Sequence, residues 1–218
     1  MIPLADRVLS LLAPPLCWSC GAGARPGEPL CGDCRRALRR LGPDPVALAG
    51  VEVWAPLAYE GPARALVGAL KYRGAAGLAG PMAAQIAANA PTGLLEPSIP
   101  GPPTLVPVPL HPARLRSRGY NQAERLAAGL ARRTGLAVLE CLRRTGPATR
   151  QVGHGREQRL AGLGAAVELR PEAPVPPHAL IVDDVVTTGA TLAACAAPLR
   201  KAGARSIAAI AFAKTPGR

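Results

Sequence analysis

The stretch ALIVDDVVTTGATLAAC, residues 179–195, decides the fold. An apolar run that suits a buried strand ends in Asp183 and Asp184. Val185, Val186, Thr187, Thr188 and Gly189 follow, and Ala190 and Thr191 open an alanine-rich segment with helical spacing. A strand passing directly into a helix is part of a parallel α/β sheet, and such sheets bind ligands at the carboxyl ends of their strands. Gly189 lets backbone N–H groups approach an anion at the helix N-terminus. Thr187, Thr188 and Thr191 add hydroxyl donors. Two carboxylates beside a phosphate cradle suit a sugar phosphate with free vicinal hydroxyls. The carboxylates accept from the hydroxyls, and the cradle holds the phosphate.

Outward from this stretch, strand and helix patterns alternate. Residues 51–61, with β-branched and aromatic residues in alternation, are expected to be a strand. Residues 62–74 have helical periodicity, with Pro62 in the first turn and Gly74 as the stop. A second helix is expected over 75–90, then a Pro/Gly loop. Further strands are expected at 104–109, 136–141, 165–169, 179–183 and 206–213, and further helices at 121–134 and 189–202. Residues 41–50 and 143–162 are expected to be irregular. The order implies a parallel sheet with right-handed crossovers.

Between the strand at 104–109 and the helix at 121 lies HPARLRSRGY, residues 111–120. It is expected to be a loop with Arg114, Arg116 and Arg118 at alternate positions and Gly119 at a bend. A pyrophosphate leaving group needs such cations to offset developing charge. Lys71, Tyr72 and Arg73, at the end of the helix 62–74, are weaker candidates for the same site; surface charge is an equal reading.

Four of the six cysteines are patterned as CWSCGAGARPGEPLCGDC: Cys17 and Cys20, then Cys31 and Cys34. Two thiolates two residues apart grip one metal from a tight turn, and two such turns close a tetrahedron. A redox C-x-x-C normally stands alone at the start of a helix in a βαβ context. All four ligands being cysteine leaves no open position, so the expected metal is structural zinc. Cys141 and Cys195 fall in apolar patterns and are expected to be small buried residues.

With the paired acids followed by T-T-G-x-T, the arginine stretch, LKYRG at 70–74, the tract RRTGPATRQVGHGREQR and the N-terminal cysteines, the whole chain resembles the ComF family. These are competence-associated proteins similar to type I phosphoribosyltransferases. The resemblance implies a zinc module ahead of a phosphoribosyltransferase-like domain; residues 1–42 are expected to hold a short helix at 1–16 and the four-cysteine zinc site, and residues 50–218 the phosphoribosyltransferase-like domain. It implies that Asp183 and Asp184 and the segment Val185–Thr191 bind phosphoribosyl pyrophosphate (PRPP) with Mg²⁺, assisted by Arg114, Arg116, Arg118, Lys71 and Arg73. The family's role in uptake of single-stranded DNA implies DNA or a competence helicase as partner. Members often carry a further C-x-x-C near the N-terminus; here no cysteine lies between Cys34 and Cys141.

Composition bounds these readings. The chain has 218 residues, a net charge of +12 and only six aromatics, so its core rests on Ala, Leu and Val. Residues 111–160 hold eleven arginines and three glutamates, a tract that attracts phosphate on nucleotides or nucleic acid. No apolar run approaches the roughly 20 residues of a membrane span, and the N-terminus lacks a basic leader and a small-x-small cleavage site. A cytoplasmic protein without membrane insertion is expected. Six aromatics offer little of the stacking platform usual for single-strand binding.

Overall fold

Residues 15–96, 101–146 and 166–216 are described in the computed structural model. In chain order they form α1 (Gly32–Arg36), β1 (Val46–Leu48), β2 (Val51–Trp54), β3 (Leu57–Ala58) and α2 (Gly61–Tyr72). A 3₁₀ turn (Ala76–Leu78) leads into α3 (Ala79–Ala87), followed by β4 (Thr104–Pro107), α4 (Pro112–Arg118) and α5 (Gln122–Thr134). The remainder comprises β5 (Leu142–Thr145), β6 (Ala166–Leu169), β7 (His178–Val186), α6 (Ala190–Lys201) and β8 (Ser206–Lys214). Most of the helix expected over 1–16 and most of the irregular segment expected over 143–162, Arg150 included, lie outside the described residues.

The main sheet has the order β1-β2-β8-β7-β4, with β3 also on β8. Every pairing is parallel except β1 with β2. Side chains of a strand alternate between faces, and the core divides accordingly. Leu180 and Val182 of β7 pack with Leu66 and Leu70 of α2, Met82 of α3 and Leu126 and Leu130 of α5. Ala179 and Ile181 pack instead with Leu192, Cys195, Ala196 and Leu199 of α6. The expected class, an α/β parallel sheet flanked by helices, is the one observed.

Several local expectations are corrected. The strand expected over 51–61 is broken at Ala55–Pro56. Proline has no N–H to donate, and its carbonyl accepts instead from Leu41 N–H at 2.8 Å. The segment at 41–50 contains β1, antiparallel to β2. Residues 136–141 are not a strand: Val138 makes one parallel bridge to Leu105 at the open edge of β4, and pairing goes no further. Arg143 and Arg144, expected in an irregular loop, lie in β5, which pairs antiparallel with β6 as a separate two-stranded sheet. The strand expected at 179–183 runs from 178 to 186, through both aspartates.

Arg114, Arg116 and Arg118 stand on a helix, α4, and not in a loop. Pro112 occupies its first turn, and Gly119 ends it in the left-handed conformation at φ 81°. His111 caps it by accepting from Ala113 N–H at Nδ1 (3.1 Å), which leaves Nε2 to donate to the Gly146 carbonyl at 2.7 Å. Positions two apart project to different sides of a helix, so the three guanidiniums do not form one row.

The approach of α3 to α5 depends on one residue. A Cβ added at Gly129 would lie 2.7 Å from Ala83 Cβ. In an ordinary helix interior, Gly→Ala stabilises by roughly 0.5–1 kcal/mol. Gly129→Ala is therefore expected to destabilise by about 1–3 kcal/mol through overpacking. Gly68→Ala in α2, with nothing within 4 Å of the added carbon, is expected to stabilise. Urea midpoints of the two variants check the opposite signs.

Candidate functional site

β7 outruns its neighbour. Its pairing with β4 stops at Val182, opposite Pro107, whereas pairing with β8 continues to Val186 opposite Lys214. Asp183 and Asp184 therefore sit where the sheet is open on the β4 side. Being consecutive in a strand, they face opposite ways. Asp184 follows Leu180 and Val182 onto the α2 face, and Asp183 follows Ile181 towards α6.

Asp184 is only 1% exposed. Its Oδ1 lies 2.9 Å from Lys71 Nζ at the end of α2. Its Oδ2 is buried and has no hydrogen-bond partner among the described residues. Asp183 is half-buried, and its Oδ1 accepts from Asp184 N–H at 2.8 Å. Burial and the adjacent Asp184 charge hold the Asp183 carboxyl well above the usual carboxylate value of 3.8, with Lys71 opposing. On the α6 side, burial and the Asp183 charge push the Cys195 thiol up to about 12. Cys141 and Cys195 are both fully buried, as small core residues.

After β7 the chain turns through Thr187 and Thr188, both exposed, and reaches Gly189 at φ 79°. Gly189 precedes α6, whose first N–H groups have no carbonyl partner within the helix. Thr188 Oγ1 accepts weakly from Ala190 N–H at 3.4 Å. Glycine is required at 189 for a second reason. A Cβ there would lie 2.8 Å from Leu48 Cβ and 3.1 Å from the Leu48 carbonyl. β1 thus presses on the turn from behind. Val186 anchors the turn in the α6-side core, Val185 packs against the other face, and Thr191 is half-buried.

The basic candidates divide. Lys71 reaches the acidic pair. Arg118 stacks over the Tyr72 ring, 5.6 Å from its centroid, and Tyr120 donates its hydroxyl hydrogen to the Leu70 carbonyl, which ties α4 to the end of α2. Arg73 points to the cysteine module, 5.6 Å from the Trp18 ring centroid. Arg114 and Arg116 are exposed and form no ion pair among the described residues. Nothing in the sequence pattern marks Leu48 or Trp18 as neighbours of this site; they are brought there from chain segments far apart in sequence.

Cys17, Cys20, Cys31 and Cys34 converge, with all four sulfurs within 4.8 Å of one another. Cys20 and Cys31 sulfurs are 3.7 Å apart. A tetrahedral zinc with bonds of about 2.3 Å needs sulfurs about 3.8 Å apart, so the donor set fits that ion. Two turns shape it: Gly21 N–H donates to Cys17 O, and Arg35 N–H donates to Cys31 O, each at 3.0 Å. Burial opposes ionisation of Cys17, but backbone donors at Cys20, Cys31 and Ser19 bring it down to about 6, whereas burial and the neighbouring thiols push Cys34 up to about 12. Cys17, Leu30 and Cys31 belong to the same core as Leu66 and Leu70. The cysteine module is therefore packed directly on α2.

No family model matches the chain. The chain is 32% identical over 196 residues to the DNA utilization protein YhgH of Salmonella typhi, covering 88% of this chain and 81% of that protein. It is 35% identical over 109 residues to competence protein F of Haemophilus influenzae, covering 49% of this chain and 48% of the other. It is also 31% identical over 102 residues to competence protein ComFC of Streptococcus pneumoniae, covering 47% and 44%. The last two matches thus span about half the length of those relatives. Among solved structures, an orotate phosphoribosyltransferase from Aeropyrum pernix aligns at a TM-score of 0.36 and 20% identity, covering 81% of this chain and 75% of that one. The allosteric regulatory enzyme of purine biosynthesis aligns at 0.37 and 21%, covering 61% and 24%.

The raised Asp183 carboxyl sets a stability signature. Between its ordinary value and its higher folded value, the folded state binds a proton that the unfolded state has released, so stability falls as pH rises through that window. Asp183→Asn removes this cost. The variant is expected to match its parent below the ordinary carboxylate value and to exceed it increasingly as pH rises above it. Denaturant midpoints across that range check the trend, and a constant or shrinking difference would contradict it.

Proposed function

We propose, from the premise that this chain belongs to the ComF family, that its acidic pair and following turn bind PRPP with Mg²⁺ in a protein that serves DNA uptake or processing. The observation that carries the reading is the Asp184 carboxylate: one oxygen on Lys71, the other buried without a partner among the described residues. The bare oxygen is an acceptor that lacks a donor among the described residues. Ribose 2′- and 3′-hydroxyls are donors of the matching kind.

In this reading residues 1–42 are the structural zinc module and 50–218 the sugar-phosphate domain. Asp183 and Asp184 accept from the ribose hydroxyls. The N–H groups and hydroxyls of Thr187 to Thr191 hold the 5′-phosphate at the start of α6. Arg118, with the exposed Arg114 and Arg116 of α4, offsets the pyrophosphate charge. Mg²⁺ bound with the pyrophosphate would supply further charge neutralisation. The names of the relatives, competence protein and DNA utilization protein, support a role with DNA. So does the net charge of +12, which attracts a phosphate backbone. No helix among the described residues is long and apolar enough to cross a membrane, and we place the protein in the cytoplasm, where a competence helicase is a fitting partner.

The second reading is an active transferase of nucleotide salvage. A nitrogen of a base attacks C1 of PRPP, the C1–oxygen bond breaks, and pyrophosphate leaves with the electron pair. The raised Asp183 carboxyl, placed beside the ribose, favours keeping this reading.

Calorimetry with Mg-PRPP tests the shared site. Asp183→Asn with Asp184→Asn is expected to abolish the binding heat while one zinc per chain is retained by elemental analysis. Unchanged binding would refute the assignment. Anisotropy of a labelled oligonucleotide separates the two roles. If DNA is bound, Arg114→Ala with Arg116→Ala should flatten the log–log salt slope by about 1.4, at roughly 0.7 for each phosphate no longer neutralised. Absence of salt-sensitive binding, with PRPP consumed alongside a nucleobase, would favour salvage.

A further inference from the structure

Lys71 stands at the end of a helix, where helices fray. It lies in the last turn of α2, with 18% of its side chain exposed, and carries its charge 2.9 Å from the buried Asp184 carboxylate. A lysine bears that charge on a flexible four-carbon stem. Holding it on one oxygen therefore requires the helix end to be fixed.

Two contacts from outside α2 fix it. Tyr120, between α4 and α5, donates its hydroxyl hydrogen to the Leu70 carbonyl, at the helix end where carbonyls run out of partners. Arg73 is the C-cap, and its N–H closes the helix on the Ala69 carbonyl at 3.1 Å. The Arg73 side chain crosses to the cysteine module and lies 5.6 Å from the Trp18 ring centroid. It forms no ion pair among the described residues. A cation within about 6 Å of an aromatic centroid is attracted by the ring face, and tryptophan is the strongest such partner.

Trp18 is itself held in place. It lies inside the first C-x-x-C, between Cys17 and Cys20. Its N–H donates to the Pro29 carbonyl at 3.0 Å, which joins the first cysteine turn to the segment entering the second. Its ring is partly buried against the core that includes Cys17, Cys31, Leu66 and Leu70.

We infer that Arg73 and Trp18 are positioning residues for the acidic pair. Their stacking clamps the last turn of α2 to the cysteine module and so places Lys71 on Asp184. The sequence groups Arg73 with the cations of the phosphate site, whereas the structure gives it a part played through Lys71. A change in the turn at 17–20 is thereby felt at the ion pair. The inference rests on the proposed ribose site only for its consequence for PRPP, and the link from Trp18 to the ion pair stands without it.

The chain has three lysines, Lys71, Lys201 and Lys214, so NMR of the lysine-labelled, zinc-loaded full chain reads the ion pair directly. Lys71→Arg assigns the signal, and Asp184→Asn marks its position once the partner charge is lost. Arg73→Ala and Trp18→Ala are each expected to move the Lys71 side-chain signal towards that position. Trp18→Phe, which keeps a ring face, should hold it near the parent. Arg73 lies outside the cysteine module, so Arg73→Ala decides the matter if Trp18→Ala loses its zinc. The same variants are then titrated with Mg-PRPP. If the parent binds it, Arg73→Ala is expected to weaken binding by about two- to fivefold, the worth of an exposed cation–π contact. Added to Lys71→Ala it should cost nothing more, since a residue acting through the lysine is not additive with it. A parent that does not bind Mg-PRPP refutes the ribose reading, and the lysine signal then decides this inference alone. A Lys71 signal unmoved by Arg73→Ala, or a loss of affinity that adds in full to that of Lys71→Ala, would overturn it.

Discussion

A carboxylate buried on the α2 face of the sheet, held by one lysine and otherwise unpartnered among the described residues, is the constraint around which this structure is arranged. Burying an ion is costly unless it is paired and fully hydrogen-bonded. Lys71 satisfies one oxygen of Asp184 at 2.9 Å and leaves the other bare. For that pairing to form, α2 must end where β7 outruns β4, and Leu66 and Leu70 fix the helix against Leu180 and Val182. The same core includes Cys17 and Cys31, so the cysteine module supports the helix that presents Lys71. The position of the acid, the helix end and the module are a single problem of packing.

Consecutive aspartates in one strand make the arrangement two-sided. Asp184 answers to α2 and Lys71, and Asp183 to α6 and Cys195. The two aspartates stand at one level of the sheet, on opposite faces, where β7 projects past β4. The turn that follows is held by contact from outside the βα unit, with β1 so close behind Gly189 that no side chain fits. Stability is given up at Asp183 for this geometry, a pattern common to functional sites.

Much of this was legible in the sequence, for physical reasons. The hydrophobic run before the aspartates, the threonine-glycine turn and the alanine-rich helix are local features, and each residue type suits its place. The four cysteines were legible because the thiolates come in turn-sized pairs. The helix at 112–118 was not, since alternating arginines hide a periodicity of 3.6, although Pro112 and Gly119 stand at its two ends. Residues 136–141 have strand composition but meet a neighbour only at Val138. The stacking of Arg73 on Trp18 and of Arg118 on Tyr72 is purely tertiary. Aromatic count is a property of composition, and placement is a property of the fold.

The central claim is that the acidic pair accepts from ribose hydroxyls, which relieve the raised Asp183 carboxyl. Carbon-13 carboxyl titration of Asp183 by NMR, with and without Mg-PRPP, tests it most directly. Hydrogen bonds to the charged form favour that form. The account predicts that Asp183 titrates above the ordinary carboxylate range in the free protein and moves down when Mg-PRPP is added. An ordinary value in the free protein, or the same titration with and without the ligand, would contradict it.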